Sequence, residues 1–213
     1  DDLAVSFNAM LGGLKSFGRY VPHTLVTRLV RENRVGAGSE ERELTVMFTD
    51  MADFSARCED MSAKEVAAFI NDHFAEIARC IEAEGGTIDK YIGDAVMAFW
   101  GAPDTLENSA APACRAALAI REAIRAGNRE RKGRGEKPVR LRIGIHTGPL
   151  VVGDIGAPNR INYTVVGDVV NGAQRLESLS KEIDSRAEVS ILISRETSEQ
   201  LPKSIKRRAE GTH

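Results

Sequence analysis

Two periodicities divide this chain. From Leu3 to about Leu14, apolar residues at Leu3, Phe7, Met10, Leu11 and Leu14 follow steps of four, three, one and three, the stripe of an amphipathic helix. A second helical stretch, Pro22 to about Glu32, carries Leu25, Leu29 and Val30 and stops at the breaker run Gly36-Ala37-Gly38-Ser39. That run predicts a boundary between a helical arm over 1–38 and a main domain over 39–213. Leu44-Thr45-Val46-Met47-Phe48 then reads as a strand covered on both faces, ending at Asp50. Ser62-Ala63-Lys64-Glu65 is a capping box, and Val66, Ile70, Phe74, Ile77 and Ile81 follow at helical spacing until Gly85-Gly86. Thr87 to Ile92 and Ala95 to Trp100 predict a hairpin turning at Gly93-Asp94.

Asn108 to about Asn128 reads as an Ala-rich helix, followed by a charged solvated loop from Arg129 to Lys137. In Val139 to His146, Leu141, Ile143 and Ile145 alternate with Arg140, Arg142 and Gly144, predicting a strand; Leu150 to Val152 and Tyr163 to Val166 suggest a further hairpin pair. Val169 to Leu179 reads as a helix and Val189 to Ile193 as a last strand. The order βαββαβ with added hairpins predicts an α+β fold, a ferredoxin-like core sheet with helices packed on one face.

Composition narrows the function classes. The 213 residues carry 29 Lys and Arg against 31 Asp and Glu, a net charge of −2 that argues against a nucleic-acid partner. Hydrophobic residues at 42% fit a globular domain rather than disorder or a rod. The longest nearly apolar stretch, Ala110 to Ile120, is interrupted by Arg115 and falls short of the roughly 18 residues a spanning helix needs. Cys58, Cys80 and Cys114 are odd in number and widely spaced, which argues against a disulfide framework and points to a reducing cytoplasm.

Asp50 ends a predicted strand and Asp94 sits in the turn of the next hairpin. If that hairpin pairs beside the first strand, the two carboxylates converge at one end of the sheet, as a two-metal phosphoryl site wants with ions roughly 4 Å apart. The alternative, a turn cap at Asp50 and a turn former at Asp94, is equally compatible with spacing alone. Asn171 and Arg175, at i and i+4 on a predicted helix, point the same way. His146 ends a strand, and a lone histidine there reads as structural; Trp100 reads as core.

Longer strings carry a resemblance. Phe48-Thr49-Asp50-Met51-Ala52-Asp53-Phe54-Ser55, Lys90-Tyr91-Ile92-Gly93-Asp94-Ala95-Val96-Met97-Ala98-Phe99, Arg142-Ile143-Gly144-Ile145-His146-Thr147-Gly148, and Tyr163 to Val170 followed by Asn171-Gly172-Ala173-Gln174-Arg175 stand in an order that resembles the class III nucleotidyl cyclases, over about residues 43 to 201. The resemblance implies that Asp50 and Asp94, with the Met51 carbonyl, hold two Mg²⁺ or Mn²⁺ ions, and that amides around Phe54 and Ser55 cradle the triphosphate. It implies that Lys90 and Thr164 read the purine, a pair that suits adenine where guanylyl members carry Glu and Cys. It further implies that Asn171 and Arg175 position the ribose and stabilise charge on the reacting phosphate. The expected activity is that of an adenylyl cyclase, ATP to 3′,5′-cyclic AMP and pyrophosphate. Guanylyl cyclase and a catalytically silent cyclase-like regulatory module are the alternatives.

The resemblance also implies a homodimer with shared active sites. Asp50, Asp94 and the phosphate loop would come from one chain, and Lys90, Thr164, Asn171 and Arg175 from the other. The arm, Asp1 to Met10 and Phe17 to Pro22, resembles the end of a HAMP signalling helix and the segment that precedes bacterial cyclase domains. An upstream sensor and a cytoplasmic catalytic domain, membrane-anchored in the full-length chain, are expected from it. Two departures stand out: Pro149 replaces the arginine that mammalian-type members carry after His-Thr-Gly, and no late strand with a terminal-phosphate lysine is legible, leaving only Lys203 and Lys206 as candidates.

Overall fold

The structure, a computed structural model, describes residues 7, 23–31, 36, 38–157, 159–183 and 187–211. The chain divides into two units, 1–37 and 38–213. In the first, helix α1 spans His23–Arg31. The predicted stripe from Leu3 to Leu14 lies outside the described residues except for Phe7, which is helical and exposed.

The second unit runs β1 (Ser39–Met51), α2 (Phe54–Cys58), α3 (Ala63–Ala83), β2 (Thr87–Ile92), β3 (Ala95–Trp100), α4 (Ala110–Gly133), β4 (Leu141–Ala157), β5 (Arg160–Val166), α5 (Asp168–Ile183), β6 (Val189–Ile193) and α6 (Arg195–Glu199). It is a mixed α+β fold. The sheet order is β2-β3-β1-β4-β5, antiparallel throughout, with β6 pairing β4 in parallel. The capping box forms as the sequence predicts: the Glu65 amide donates to Ser62 Oγ at 3.3 Å and the Ser62 amide to Glu65 Oε2 at 2.8 Å.

Among the boundaries that differ from the pattern, three have a plain physical reason. Helix α4 runs on to Gly133, because Arg129, Glu130, Arg131 and Lys132 are good helix formers and its last turn carries Arg131 and Lys132, favourable against the dipole. Strand β4 is continuous from Leu141 to Ala157 through Pro149. Its outer neighbour is β6 at 141–145 and β5 at 151–157, so Pro149 falls where β4 has β1 on one side and no strand on the other, the place where a missing N–H costs least. Strand β1 begins at Ser39 rather than near Glu43, drawn out by its pairing with the far end of β4.

The expectation of helices on a single face is corrected. One face of the sheet presents Met47, Val96, Ala98, Trp100, Ile143 and Ile145 to Ile77, Ile81, Ala113, Ala117 and Ile120 of α3 and α4. The opposite face presents Leu44, Val46, Phe48, Met97 and Phe99 to Val169 and Ala173 of α5. The alternation along β4 explains the second layer. Its even positions, Arg142, Gly144, His146 and Gly148, look solvent-facing in sequence, yet α5 lies on them. A Cβ at Gly144 would stand 2.2 Å from the Ala173 carbonyl oxygen and 2.3 Å from the Glu177 amide nitrogen, so glycine is what lets the helix backbone approach. Trp100 is fully buried core, its Nε1–H donating to the Glu84 carbonyl at 3.0 Å.

Candidate active site

At the end of β1 the chain gathers carboxylates against one cation. Asp50 and Arg142 are cross-strand partners in the β1–β4 register, so their side chains share a face. Arg142 ion-pairs with Asp50 Oδ2 and donates through Nε to Glu177 Oε1 of α5 at 2.7 Å. Arg142 and Glu177 are largely buried, and the paired carboxylates raise the Arg142 pKa against the effect of burial. The hairpin β2–β3 carries Asp94 to the same end. Gly93, at φ 63°, supplies the left-handed turn residue that permits it. Asp94 Oδ2 accepts from the Met51 amide at 3.1 Å. Burial, followed by the negative charge of Asp50, pushes the Asp94 carboxyl above its ordinary value.

This donor set fits a hard divalent cation. Two carboxylates and a main-chain carbonyl are oxygen ligands, and the mutual repulsion that raises Asp94 is what a cation between them relieves. Arg142 occupies Oδ2 of Asp50, and a carboxylate retains lone pairs on its second oxygen. Among the described residues no group of three or more His, Cys, Asp and Glu side chains gathers to enclose an ion, so water or a phosphate would complete its shell.

Beside this end, Asp53 adopts a left-handed conformation at φ 59°, tolerated by Asp, and ion-pairs with Arg140. The chain then turns into α2, which begins at Phe54 and Ser55; Ser55 is exposed and Phe54 partly buried. A cleft of about 410 Å³ opens here, lined among others by Asp53, Arg140, Arg142 and Lys181.

Lys90 and Thr164, 74 residues apart, meet: Lys90 Nζ donates to Thr164 Oγ1 at 3.3 Å. Asn171 and Arg175 are exposed on α5 and line a separate cavity of about 420 Å³ with Gln174, Ser178, Leu179 and Glu182. Glu177, on the same helix, is committed to Arg142. His146 packs its ring over Gly172, and burial lowers its pKa. Lys203 and Lys206 are exposed in a segment without regular structure. Within one chain the sequence-predicted residues therefore fall into four groups: Asp50, Met51 and Asp94; Phe54 and Ser55 at the start of α2; Lys90 and Thr164; and Asn171 and Arg175. Sequence reasoning missed the second carboxylate of the Arg142 clamp, Glu177, and the buried Asp89 beside Lys90. An acid in mid-strand next to Lys90 was the available signal.

The family described as Adenylate and Guanylate cyclase catalytic domain matches residues 38–212. The chain belongs to this family. Adenylate cyclase 1 of Rhizobium meliloti (strain 1021) is 39% identical over 178 residues, 83% of this chain and 27% of that protein. The adenylyl cyclase CyaB from P. aeruginosa superposes with a TM-score of 0.69 at 36% identity, covering 76% of this chain and 81% of that one. The guanylyl cyclase Cya2 gives the same TM-score at 30% identity, covering 82% and 89%. This cyclase domain spans about a quarter to a third of the length of the curated relatives it matches. Among its described residues no helix is long and apolar enough to cross a membrane.

Proposed function

We propose that this chain is an adenylyl cyclase domain, converting ATP to 3′,5′-cyclic AMP and pyrophosphate at sites shared between two copies. The observation that carries the reading is the contact between Lys90 and Thr164, since an ammonium donor beside a hydroxyl matches the N1 acceptor and 6-amine of adenine. The similarity to adenylate cyclases at 36% and 39% identity supports it. The similarity to the guanylyl cyclase Cya2 keeps GTP as the second reading. Incubation with ATP or GTP and Mn²⁺, followed by identification of the product, decides between them: cyclic AMP as the main product is expected, and preferential cyclic GMP overturns the base assignment.

Asp50 and Asp94, with the Met51 carbonyl, would hold two Mg²⁺ or Mn²⁺ ions, which when bound supply positive charge that favours the attacking 3′-oxygen and the leaving pyrophosphate. The amides of Phe54 and Ser55 would bind the triphosphate, with Arg140 and Lys181 of the adjoining cleft adding positive charge near the tail. Asn171 would fix the ribose so that its 3′-oxygen lies in line with the α-phosphorus, and Arg175 would carry the negative charge that builds on the reacting phosphate.

The exposure of Asn171 and Arg175, each outside the Asp50 cluster of its own chain, supports a second copy as the source of the missing half. Tyr91, Ile92, Val151, Ile161 and Val166 are half-exposed apolar side chains that a symmetric partner would cover. We read 39–213 as the catalytic domain, its strand order β4-β1-β3-β2 supporting a ferredoxin-like core, and 1–38 as a signalling arm from an upstream sensor of a cytoplasmic, membrane-anchored full-length protein.

A further inference from the structure

Asp89 is a carboxylate where a strand should carry none. Its side chain is 2% exposed, and burying an acid costs free energy unless it has partners. Strict alternation along β2 would send Asp89 and Lys90 to opposite faces. The β2–β3 register slips between Ile88 and Lys90, and a bulge of this kind re-aims side chains. Here both turn toward β5. The Thr164 hydroxyl donates to Asp89 Oδ2 at 2.8 Å, and Lys90 Nζ lies 3.2 Å from the same oxygen. Burial pushes the Asp89 carboxyl up from its ordinary value, while the Thr164 hydrogen bond and the Lys90 charge pull it back.

Counting donors and acceptors shows what the trio offers a ligand. A hydroxyl has one proton and two lone pairs. The Thr164 proton goes to Asp89 and one lone pair accepts from Lys90, leaving a single lone pair and no donor. Lys90 has three N–H groups, directs two of them to Thr164 and Asp89, and keeps one. The pair therefore presents one donor from Lys90 and one acceptor from Thr164. Adenine answers with its N1 acceptor and 6-amine donor. Guanine in the same pose sets its 6-oxygen against the Thr164 lone pair and its N1–H against the ammonium, so neither contact forms.

We propose that Asp89 is the residue that makes the base site selective: by taking the Thr164 hydroxyl proton it fixes Thr164 as an acceptor, admitting the adenine 6-amine and refusing the guanine 6-oxygen. The inference rests on the adenylyl cyclase reading of Lys90 and Thr164, and deepens it, because threonine without Asp89 is ambiguous. Asp89 itself is a positioning residue that acts through Thr164.

The test measures the ratio of kcat/KM for ATP to that for GTP, together with equilibrium binding of fluorescent ATP and GTP analogues, in the full chain. Asp89→Ala leaves the hydroxyl free to rotate and donate to a 6-oxygen, so the ratio is expected to fall about tenfold. Adding Thr164→Asp in that background supplies an acceptor that needs no neighbour and should restore the preference for adenine. Asp89→Val is measured in parallel, so that loss of fold in one variant, read by circular dichroism, leaves the other. A purely structural role for Asp89 would weaken both nucleotides together and leave the ratio unchanged; an unchanged ratio in a folded variant overturns the proposal. Failure of the unmutated chain to prefer ATP overturns the proposed function instead, before Asp89 is touched.

Discussion

The two faces of the sheet are built on different principles. Toward α3 and α4 the sheet presents Met47, Val96, Trp100, Ile143 and Ile145, all almost fully buried, and the helices answer with Ile77, Ile81 and Ile120. The contact there is mostly apolar, with a few polar anchors such as the Trp100 indole on the Glu84 carbonyl, and volume-conserving exchange of its aliphatic residues should be tolerated. Toward α5 an apolar cluster of Leu44, Val46, Phe48, Met97 and Phe99 meets Val169 and Ala173, and beside it the contact is made by Arg142, Gly144, His146 and Gly148, with two glycines where helix and strand nearly touch and a buried Arg142–Glu177 pair that extends to Asp50. Both faces bury apolar area and so supply stability. The second sets the position of α5, which bears Asn171 and Arg175, relative to the strand end that bears Asp50.

The largest effect expected from this division is on turnover. Asp50→Ala should lower activity by at least about a hundredfold, because the proposed metal ligand is lost. Stability should change by no more than about 1 kcal/mol, since Arg142 keeps its bond to Glu177. Initial rates with Mn²⁺-ATP beside thermal melts measure both, and near-full activity would remove Asp50 from the site.

Next comes Gly144→Ala. The added methyl meets backbone atoms of α5 rather than a flexible side chain, so the helix must move; a cost of about 2 to 3 kcal/mol, or roughly 5 to 10 °C in Tm, is expected with a parallel loss of kcat. A matching loss of stability from a cavity on the other face, without loss of kcat at low temperature, would sharpen the contrast; equal kcat losses from both faces would break it.

The smallest effect, read per pH unit, is a pH dependence belonging to the α3 face. His73, on α3, is buried and its pKa is lowered to about 4, chiefly by burial. Between pH 6.5 and about 4 the unfolded chain binds a proton that the folded chain refuses, so stability falls with falling pH by about 1.4 kcal/mol per unit. Urea unfolding across this range should show that slope in the unmutated chain and a shallower one in His73→Phe.

The same contrast explains what the sequence disclosed. The α3 and α4 face was legible because large apolar residues recur there at strand and helix spacing, and a capping box marks where α3 begins. The α5 face was not. Arginine, glycine and histidine on alternate positions of β4 look like a wetted surface, since a glycine that admits a helix and a glycine exposed to water are written identically. The motif strings singled out Asp50, Asp94, Lys90, Thr164, Asn171 and Arg175, and the fold sets Asp50 near the end of β1, Asp94 in the β2–β3 turn, Lys90 and Thr164 within β2 and β5, and Asn171 and Arg175 on α5. The bulge that turns Asp89 beside Lys90 leaves no mark in hydrophobic periodicity, because it is a slip of register between two strands. Nothing in the helix periodicity around Glu177 marks it as the partner of Arg142; the approach of α5 to β4 makes that pair.

The central claim is that two chains complete each other's sites, and mixing two inactive variants tests it most directly. Asp50→Ala and Arg175→Ala chains are each expected to be inactive alone. Random exchange makes half of the dimers mixed, each with one intact site of two, so activity should return to about a quarter of the unmutated level. Activity that stays at the level of the separate variants, although mixed dimers are shown by differential tagging to form, would contradict the shared-site account.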